Sequence, residues 1–318
     1  MIKSLQVVGG LALVITAYLS WRDLYDPGDQ HLTGRFNKAV EQLNSNKLAV
    51  QLGGIHSLER IARKSPTDYG TIIKLLTAFI RGKAFFPSNS RDHLLKQFTW
   101  EDATNKEVYK PQGVSKDVQT ALTVLGRQRE VSHRLTLDLG NTNLSQANLR
   151  KANFKQANLY SAVLSQADFR GADLREASFL LAILSGGPKS RGRSINFRAP
   201  MTRFDQANLS LANFMGAFMS YQISFKDANL SMANLTDAQI ECGCFHNANL
   251  QKTDFSRANL KEASFRMANL SDAILDNANL RETDFRGAKN LTIEQVKAAK
   301  HWRQAKYDSA FKKKLDLN

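Results

Sequence analysis

The sequence predicts a multi-part α+β chain: an apolar N-terminal transmembrane helix, a small all-α domain, a stacked β-solenoid and a C-terminal helical cap. Three observations predict it. No charge lies between Lys3 and Arg22. Apolar residues then recur at helical spacing as far as Leu125. From Asn141 to Ala288 a five-residue unit takes over, read as TNLSQ ANLRK ANFKQ ANLYS and later as ANLQK TDFSR ANLKE ASFRM ANLSD. A fixed short period of this kind marks stacked repeats. The divisions that follow are an anchor over 1–24, a helical domain over 25–135, a solenoid over 136–290 with a basic loop at 185–200, and a cap and tail over 291–318.

The anchor rests on Ser4 to Trp21, a run rich in Leu, Val, Ile and Ala. Its length is near the lower limit for crossing a bilayer, about 17–25 residues. Tyr18 and Trp21 at its end suit the membrane interface. No small-x-small cleavage site follows the apolar core, so an uncleaved anchor is favoured over a signal peptide. Arg35, Lys38 and Lys47 downstream place the bulk of the chain on the cytoplasmic side of a single-pass membrane protein.

After a turn-rich linker with Pro27 and Gly28, Phe36, Ala39, Val40 and Leu43 mark one face of a helix. Leu48, Leu52, Ile55 and Ala62 continue on a second helix, where Gly53 and Gly54 would let a neighbour approach closely. Ser65-Pro66-Thr67-Asp68 opens a third: an N-cap Ser, Pro at the first helical position and an acid three residues on. This helix presents Ile72, Leu75, Leu76 and Phe79, and Val118, Ala121, Leu122 and Leu125 mark a later one. The stretch from Pro87 to Gly113 is polar and carries no clear period.

In the repeats, Leu or Phe stands at every fifth place: Leu144, Leu149, Phe154, Leu159, Leu164, Phe169, Leu174 and Phe179. Two places earlier stands Ala, as at Ala147, Ala152, Ala157 and Ala162. On an α-helix such a face would drift by about 140° per unit, and on a flat strand it would change sides each time. A chain that turns a corner at each unit keeps both places pointing at one axis. Ala at the second place implies a narrow interior, and Asn or Asp between the two suits corners by bonding the local backbone.

These units resemble the pentapeptide-repeat family, whose motif is A(D/N)Lxx. The resemblance implies a right-handed quadrilateral β-helix with four repeats per coil. About 26 repeats would give roughly six coils and a rod of roughly 30 Å at about 4.8 Å per coil. Two interruptions are expected to leave the solenoid intact. The motif fails after Leu184 and resumes at Phe204, and the spacing becomes six between Met219 and Phe225, with Ile223 at an Ala place in a locally wider coil. The segment from Arg35 to Lys83, with VQTALTVLGRQ before the coil, also resembles a membrane-anchored bacterial subgroup of that family, abundant in cyanobacteria. Past the coil, Thr292 and Gln295 form a capping box. Ile293, Val296, Ala299 and Trp302 can cover one side of a closing helix, and FKKKLDLN reads as a frayed basic tail.

Formal net charge is +15. Lys and Arg outnumber Asp and Glu by 19 to 12 over residues 1–137, 18 to 14 over 138–290 and 7 to 3 over 291–318, so no single nucleic-acid stripe emerges and nucleic acid is not an expected partner. Cys242 and Cys244 are the two cysteines, both outward by register and too few for a disulfide framework. Gly187 to Ser194 (GPKSRGRS) imitates a phosphate-cradling loop, but Arg193 stands where Lys is required and no strand-to-helix context surrounds it. Lys189, Arg191, Arg193, Arg198 and Arg203 remain candidates for an anionic ligand or partner. The six histidines are scattered, without metal-ligand or catalytic spacing, so no enzyme activity, cofactor or metal is expected. The resulting expectation is a membrane-tethered scaffold with an unidentified protein partner. The alternative is a DNA-mimicking modulator of gyrase or topoisomerase, a role the resemblance implies for some family members, which rely on a markedly acidic rod.

Overall fold

The computed structural model describes residues 30–87, 90–98, 111–127, 136–185, 201–219 and 223–317. The predicted anchor lies outside the described residues, among which no helix is long and apolar enough to cross a membrane. Two compact units form, one from residues 1–85 with 115–137 and the other from 86–114 with 138–318.

The first unit is helical. Its helices are α1 (Gln30–Leu43), α2 (Leu48–Lys64) and α3 (Pro66–Lys83). Two more helices follow in sequence, α4 (Ser90–Phe98) and α5 (Lys116–Gly126), of which α5 belongs here and α4 to the second unit. α1 packs on α2, and α2 and α3 both pack on α5. Phe36, Leu43, Ile55, Leu58, Ile72, Leu76, Leu122 and Leu125 are essentially fully buried between them. The start signal at Ser65 forms as expected: its hydroxyl accepts the Asp68 N–H at 3.3 Å, with Pro66 at the first turn. Two ion pairs fasten α5 at its ends, Lys83 to Asp117 at 3.3 Å and Arg127 to Glu59 at 3.4 Å.

The inner face of α2 differs from the expected one. Gln51, Gly54, Ile55, Leu58 and Ile61 are buried, whereas Leu48 stays 41% exposed. The face is set by where α1 crosses, and it crosses at Gly54. A Cβ there would sit 2.8 Å from the Ala39 carbonyl oxygen and 2.8 Å from the Leu43 nitrogen, both backbone atoms of α1. At Gly53 a Cβ meets nothing within 4 Å. Opposite signs are therefore expected for neighbouring substitutions, read by thermal melting. Gly54→Ala destabilises by about 1–3 kcal/mol as α1 is pushed off, and Gly53→Ala stabilises by about 0.5–1 kcal/mol through helix propensity. Equal effects would show that α1 does not rest on Gly54.

The second unit is the solenoid. Asp138, Asn158, Ser178, Asn213, Asn234, Asp254 and Ile274 are linked in succession by parallel bridges, which makes seven coils rather than the six expected from the motif count. Within a coil such bridges recur every five residues, as at Asn143, Asn148 and Asn153, so the section has four faces. Each face is therefore one residue of ladder per coil, and the expected four repeats per coil hold.

The unit from Asp168 to Ala172 shows why this sequence winds so. The N–H groups of Asp168, Phe169 and Gly171 donate to Ala147, Arg203 and Asp205 on neighbouring coils at 2.9, 2.7 and 2.9 Å. The Ala172 N–H closes the corner onto the Phe169 carbonyl at 2.9 Å. Only the Arg170 N–H needs a side chain, the Asp168 carboxylate at 3.2 Å. Every backbone donor is thereby satisfied, and the Asn or Asp of the motif has its physical reason. The corner residue that follows takes a left-handed conformation whatever its type, as at Lys151 (φ 55°), Gln166 (φ 62°) and Met232 (φ 58°). Gly216 occupies one such corner (φ 61°), where a Cβ would also fall 2.9 Å from Leu181 Cδ2.

Inside, the described Leu/Phe and Ala places are buried as far as Phe285, with Ala288 half-buried at the end, so the expected bore is present. One column is aromatic. Phe169, Phe204, Phe225, Phe245, Phe265 and Phe285 stack coil on coil with ring centroids 4.7–5.2 Å apart. Gly243 takes an Ala place because its predecessor Ile240 is β-branched, and a Cβ there would lie 2.6 Å from Ile240 Cγ2.

Both interruptions fall between the same two faces. Asp168 bridges to Arg203, and Arg203 in turn pairs with Ser224. The re-entry residues form two short parallel strands, β1 (Thr202–Arg203) and β2 (Ile223–Ser224). At the far end the capping box forms: Gln295 N–H donates to the Thr292 hydroxyl at 3.2 Å, and Gln295 Oε1 accepts the Thr292 N–H at 2.8 Å. The helix it starts, α6 (Ile293–Lys297), is shorter than expected because the chain returns to the ladder, with Lys300 bridged to Asn279 and Lys306 to Asp284. Tyr307 then stacks on Phe285 at 5.8 Å and ends the aromatic column, its phenol pushed up in pKa by burial. The tail is ordered rather than frayed: it forms α7 (Ser309–Lys314), and Leu315 is buried.

Candidate functional site

Of the five predicted site residues, Lys189, Arg191, Arg193 and Arg198 lie outside the described residues. Arg203 is half-buried in β1, its carbonyl accepting the Phe169 N–H at 2.7 Å. What the structure does describe is the neck from which that loop springs. The Thr202 hydroxyl donates to the Leu184 carbonyl at 2.7 Å and accepts the Gln166 N–H at 2.9 Å. Phe204 stacks directly on Phe169, so the coil closes beneath the insertion as though the loop were not there.

A second feature, on one face of the coil, was missed by sequence reasoning. The outward place between the two buried ones, normally Asn or Asp, holds Val163, Ile183 and Phe218 on three successive coils of the same face. Val163 and Ile183 are fully buried, because Leu94 and Leu95 of α4 and the neighbouring Phe86 pack on them. The segment is tied at both ends of its course: the Phe86 N–H donates to Asn141 O at 2.8 Å, and the Val114 N–H donates to Ser145 O at 3.2 Å. Gln146 Nε2 adds a bond to Pro111 O at 2.9 Å. The described parts of this stretch, 86–87, 90–98 and 111–114, expected within the helical domain over 25–135, thus group with the solenoid. An aliphatic or aromatic side chain at this place cannot accept the corner N–H, so these three residues exchange a turn bond for apolar burial. The signal was present in the sequence, though only for a reader aligning every twentieth residue across the insertion.

Most of the remaining outward places are polar, with Ile274 an exposed exception, and several bond one another. Asn229, Asn249 and Asn269 each donate to the carboxamide one coil back, at 3.1–3.3 Å. Arginines on the coil are held by carboxylates, Arg170 by Asp168 at 2.8 Å and Arg257 by Asp237 at 2.7 Å. Burial alone would raise the Asp168 carboxyl, but the Arg170 guanidinium and N–H outweigh it and hold the group below its ordinary value. Cys244 is half-buried on a ladder row, and burial pushes its thiol up in pKa, away from thiolate chemistry. Cys242 is also half-buried, its Sγ 3.7 Å from Glu262 Oε2. Among the described residues no cluster of metal-ligating side chains forms.

A four-faced right-handed β-helix wound from five-residue units defines a pentapeptide-repeat solenoid. The family model described as pentapeptide repeats matches in eight copies, over residues 138–176, 153–186, 222–257, 245–277 and 253–289. Over these residues the chain is built of pentapeptide repeats. Among solved structures, it is similar to HetL, a pentapeptide repeat protein involved in heterocyst differentiation regulation from the cyanobacterium Nostoc sp. strain PCC 7120. Identity is 27%, with 53% of this chain and 76% of that one covered and a TM-score of 0.30. Rfr23 from the cyanobacterium Cyanothece 51142 is 24% identical, with coverage of 46% and 88% and a TM-score of 0.18. QnrB1, a plasmid-mediated fluoroquinolone resistance protein, is 15% identical, with coverage of 57% and 95% and a TM-score of 0.25. No curated protein matches this chain. At these scores the likenesses concern the fold of the repeats alone.

Proposed function

We propose that this protein is a non-enzymatic scaffold, tethered to a membrane by its apolar N-terminal stretch, whose ruled coil faces dock a protein partner. The observation that carries the reading is the seating of α4: three outward side chains, stacked coil on coil, are enough for one face to bind a helix. The other faces offer the same rigid spacing with different side chains, which is what a docking platform requires. The tether is supported by the uncharged run from Ser4 to Trp21, and a cytoplasmic body by the downstream Arg35, Lys38 and Lys47.

The test is pull-down of the full chain from detergent extracts, alongside Lys189→Ala/Arg191→Ala/Arg193→Ala. A specific partner retained by the parent chain and weakened by the triple substitution is expected; no specific partner in repeated extracts would count against the scaffold. Membrane fractionation with protease accessibility tests the tether separately. The gyrase-modulator alternative lacks its electrostatic basis here, since the coil carries 18 Lys and Arg against 14 Asp and Glu over residues 138–290. Altered supercoiling at stoichiometric protein would restore it.

A further inference from the structure

We infer that the C-terminal cap of the solenoid is a docking surface for an anionic lipid headgroup layer. Several of the coil's basic side chains are held by carboxylates. On the coil, Arg170, Arg175, Arg257 and Arg286 each grip an aspartate at 2.8 Å or less. Their charge is largely cancelled where it stands.

On the cap the balance changes. Lys297, Lys300, Arg303 and Lys306 on the closing turns, and Lys312 to Lys314 on α7, face only three acids over residues 291–318, namely Glu294, Asp308 and Asp316. None of these seven cations forms a salt bridge among the described residues. Asp308 is engaged elsewhere, accepting the Gly287 N–H at 2.8 Å. Six of the seven cations are exposed, and Lys312 is half-exposed.

The cap holds these charges in place. Gln295 Nε2 donates to the Leu270 and Ala273 carbonyls of the last coil at 2.9 and 2.7 Å. Lys300 and Lys306 lie in the parallel ladder, and Leu315 anchors the end of α7. Two aromatics stand among the cations. Trp302 is half-exposed beneath the Arg303 guanidinium, 4.4 Å from its ring centroid, and Phe311 packs at 5.3 Å on Tyr307.

Exposed lysines that outnumber the cap's acids, beside a half-exposed Trp, suit a headgroup layer better than a nucleic-acid groove. Lipid binding needs diffuse positive charge and interfacial aromatics, and no register of base contacts. A duplex reader would need side chains arranged to enter a groove, and α7, at six residues, is short for that task. Docking at the cap does not require the N-terminal tether.

The experiment compares partitioning of the full chain into vesicles of phosphatidylcholine alone and vesicles that also contain phosphatidylserine. The variants are Lys312→Gln/Lys313→Gln/Lys314→Gln and, independently, Lys297→Gln/Lys300→Gln/Lys306→Gln, with melting curves to confirm that the coil is intact. At about 1 kcal/mol per basic residue, each triple variant should lower the anionic-to-neutral partition ratio by about a hundredfold, and added salt should do the same to the parent chain. Binding to neutral vesicles reports the tether and should be unchanged by either variant. A parent ratio near one, or variants that keep the parent ratio, would overturn the proposal. So would loss of duplex DNA binding in the variants with vesicle partitioning unaltered.

Discussion

Phe245→Ala is expected to destabilise the β-helix by about 3–5 kcal/mol, the range for removing a large aromatic from a packed core. The ring is fully buried. It lies between Phe225 and Phe265, with centroids 4.9 and 4.8 Å away, and meets the edge of Phe255 at 5.7 Å. The cavity cannot relax shut, because the coil spacing is fixed by backbone bonds such as Phe245 N to Ser264 O at 2.8 Å. Each lost ring contact adds about 0.5–1.5 kcal/mol to the burial term. Urea denaturation followed by circular dichroism provides the measurement, with Phe245→Leu as the milder comparison. Because repeats are coupled only to their neighbours, the alanine variant should also broaden the transition as the coils on either side unfold separately. A loss below about 1 kcal/mol would mean that the column does not hold the coils together.

The second large effect is expected at the α4 seat. Ile183→Asn removes a fully buried aliphatic side chain from beneath Leu94 and introduces a polar amide there. The cost to α4 docking is about 2–4 kcal/mol, enough to release a nine-residue helix held by few apolar contacts. The coil itself should change little, because Asn is the residue that commonly fills this outward place of the motif. Limited proteolysis separates the two outcomes. New cleavage within residues 86–114, with the solenoid core persisting, is expected. An unchanged digestion pattern would show that α4 is held by something other than this face.

These two sites also show how far the sequence could be read. The five-residue period was plain, because it is carried by dozens of identical side chains with one role, facing a bore too narrow for variation. The twenty-residue period was hidden, although Phe225, Phe245, Phe265 and Phe285 display it, because the insertion before Thr202 puts Phe169 out of step and the extra residue before Ile223 does the same to Phe204. Without that period, Val163, Ile183 and Phe218 read as isolated departures from the motif rather than as one stripe. The helix they bind gave no signal of its own: SRDHLLKQF has two adjacent leucines and no repeating face. At the far end, Ile293, Val296 and Ala299 have helical spacing, but the pull of an open ladder edge ended α6 at Lys297. The basic loop was legible as charge alone, and only its neck, through Thr202, has a described geometry.

That neck has a practical corollary. Both departures from five-residue spacing, the long one before Thr202 and the short one before Ile223, leave from the same edge of the rod and return to the same ladder. Register is enforced by the coils above and below, so the length of peptide spliced in at that edge is immaterial to the winding. A foreign epitope or affinity tag substituted for residues 186–200 should therefore be carried as cargo on an undisturbed shaft, which makes this edge the natural place to load the molecule as a display carrier.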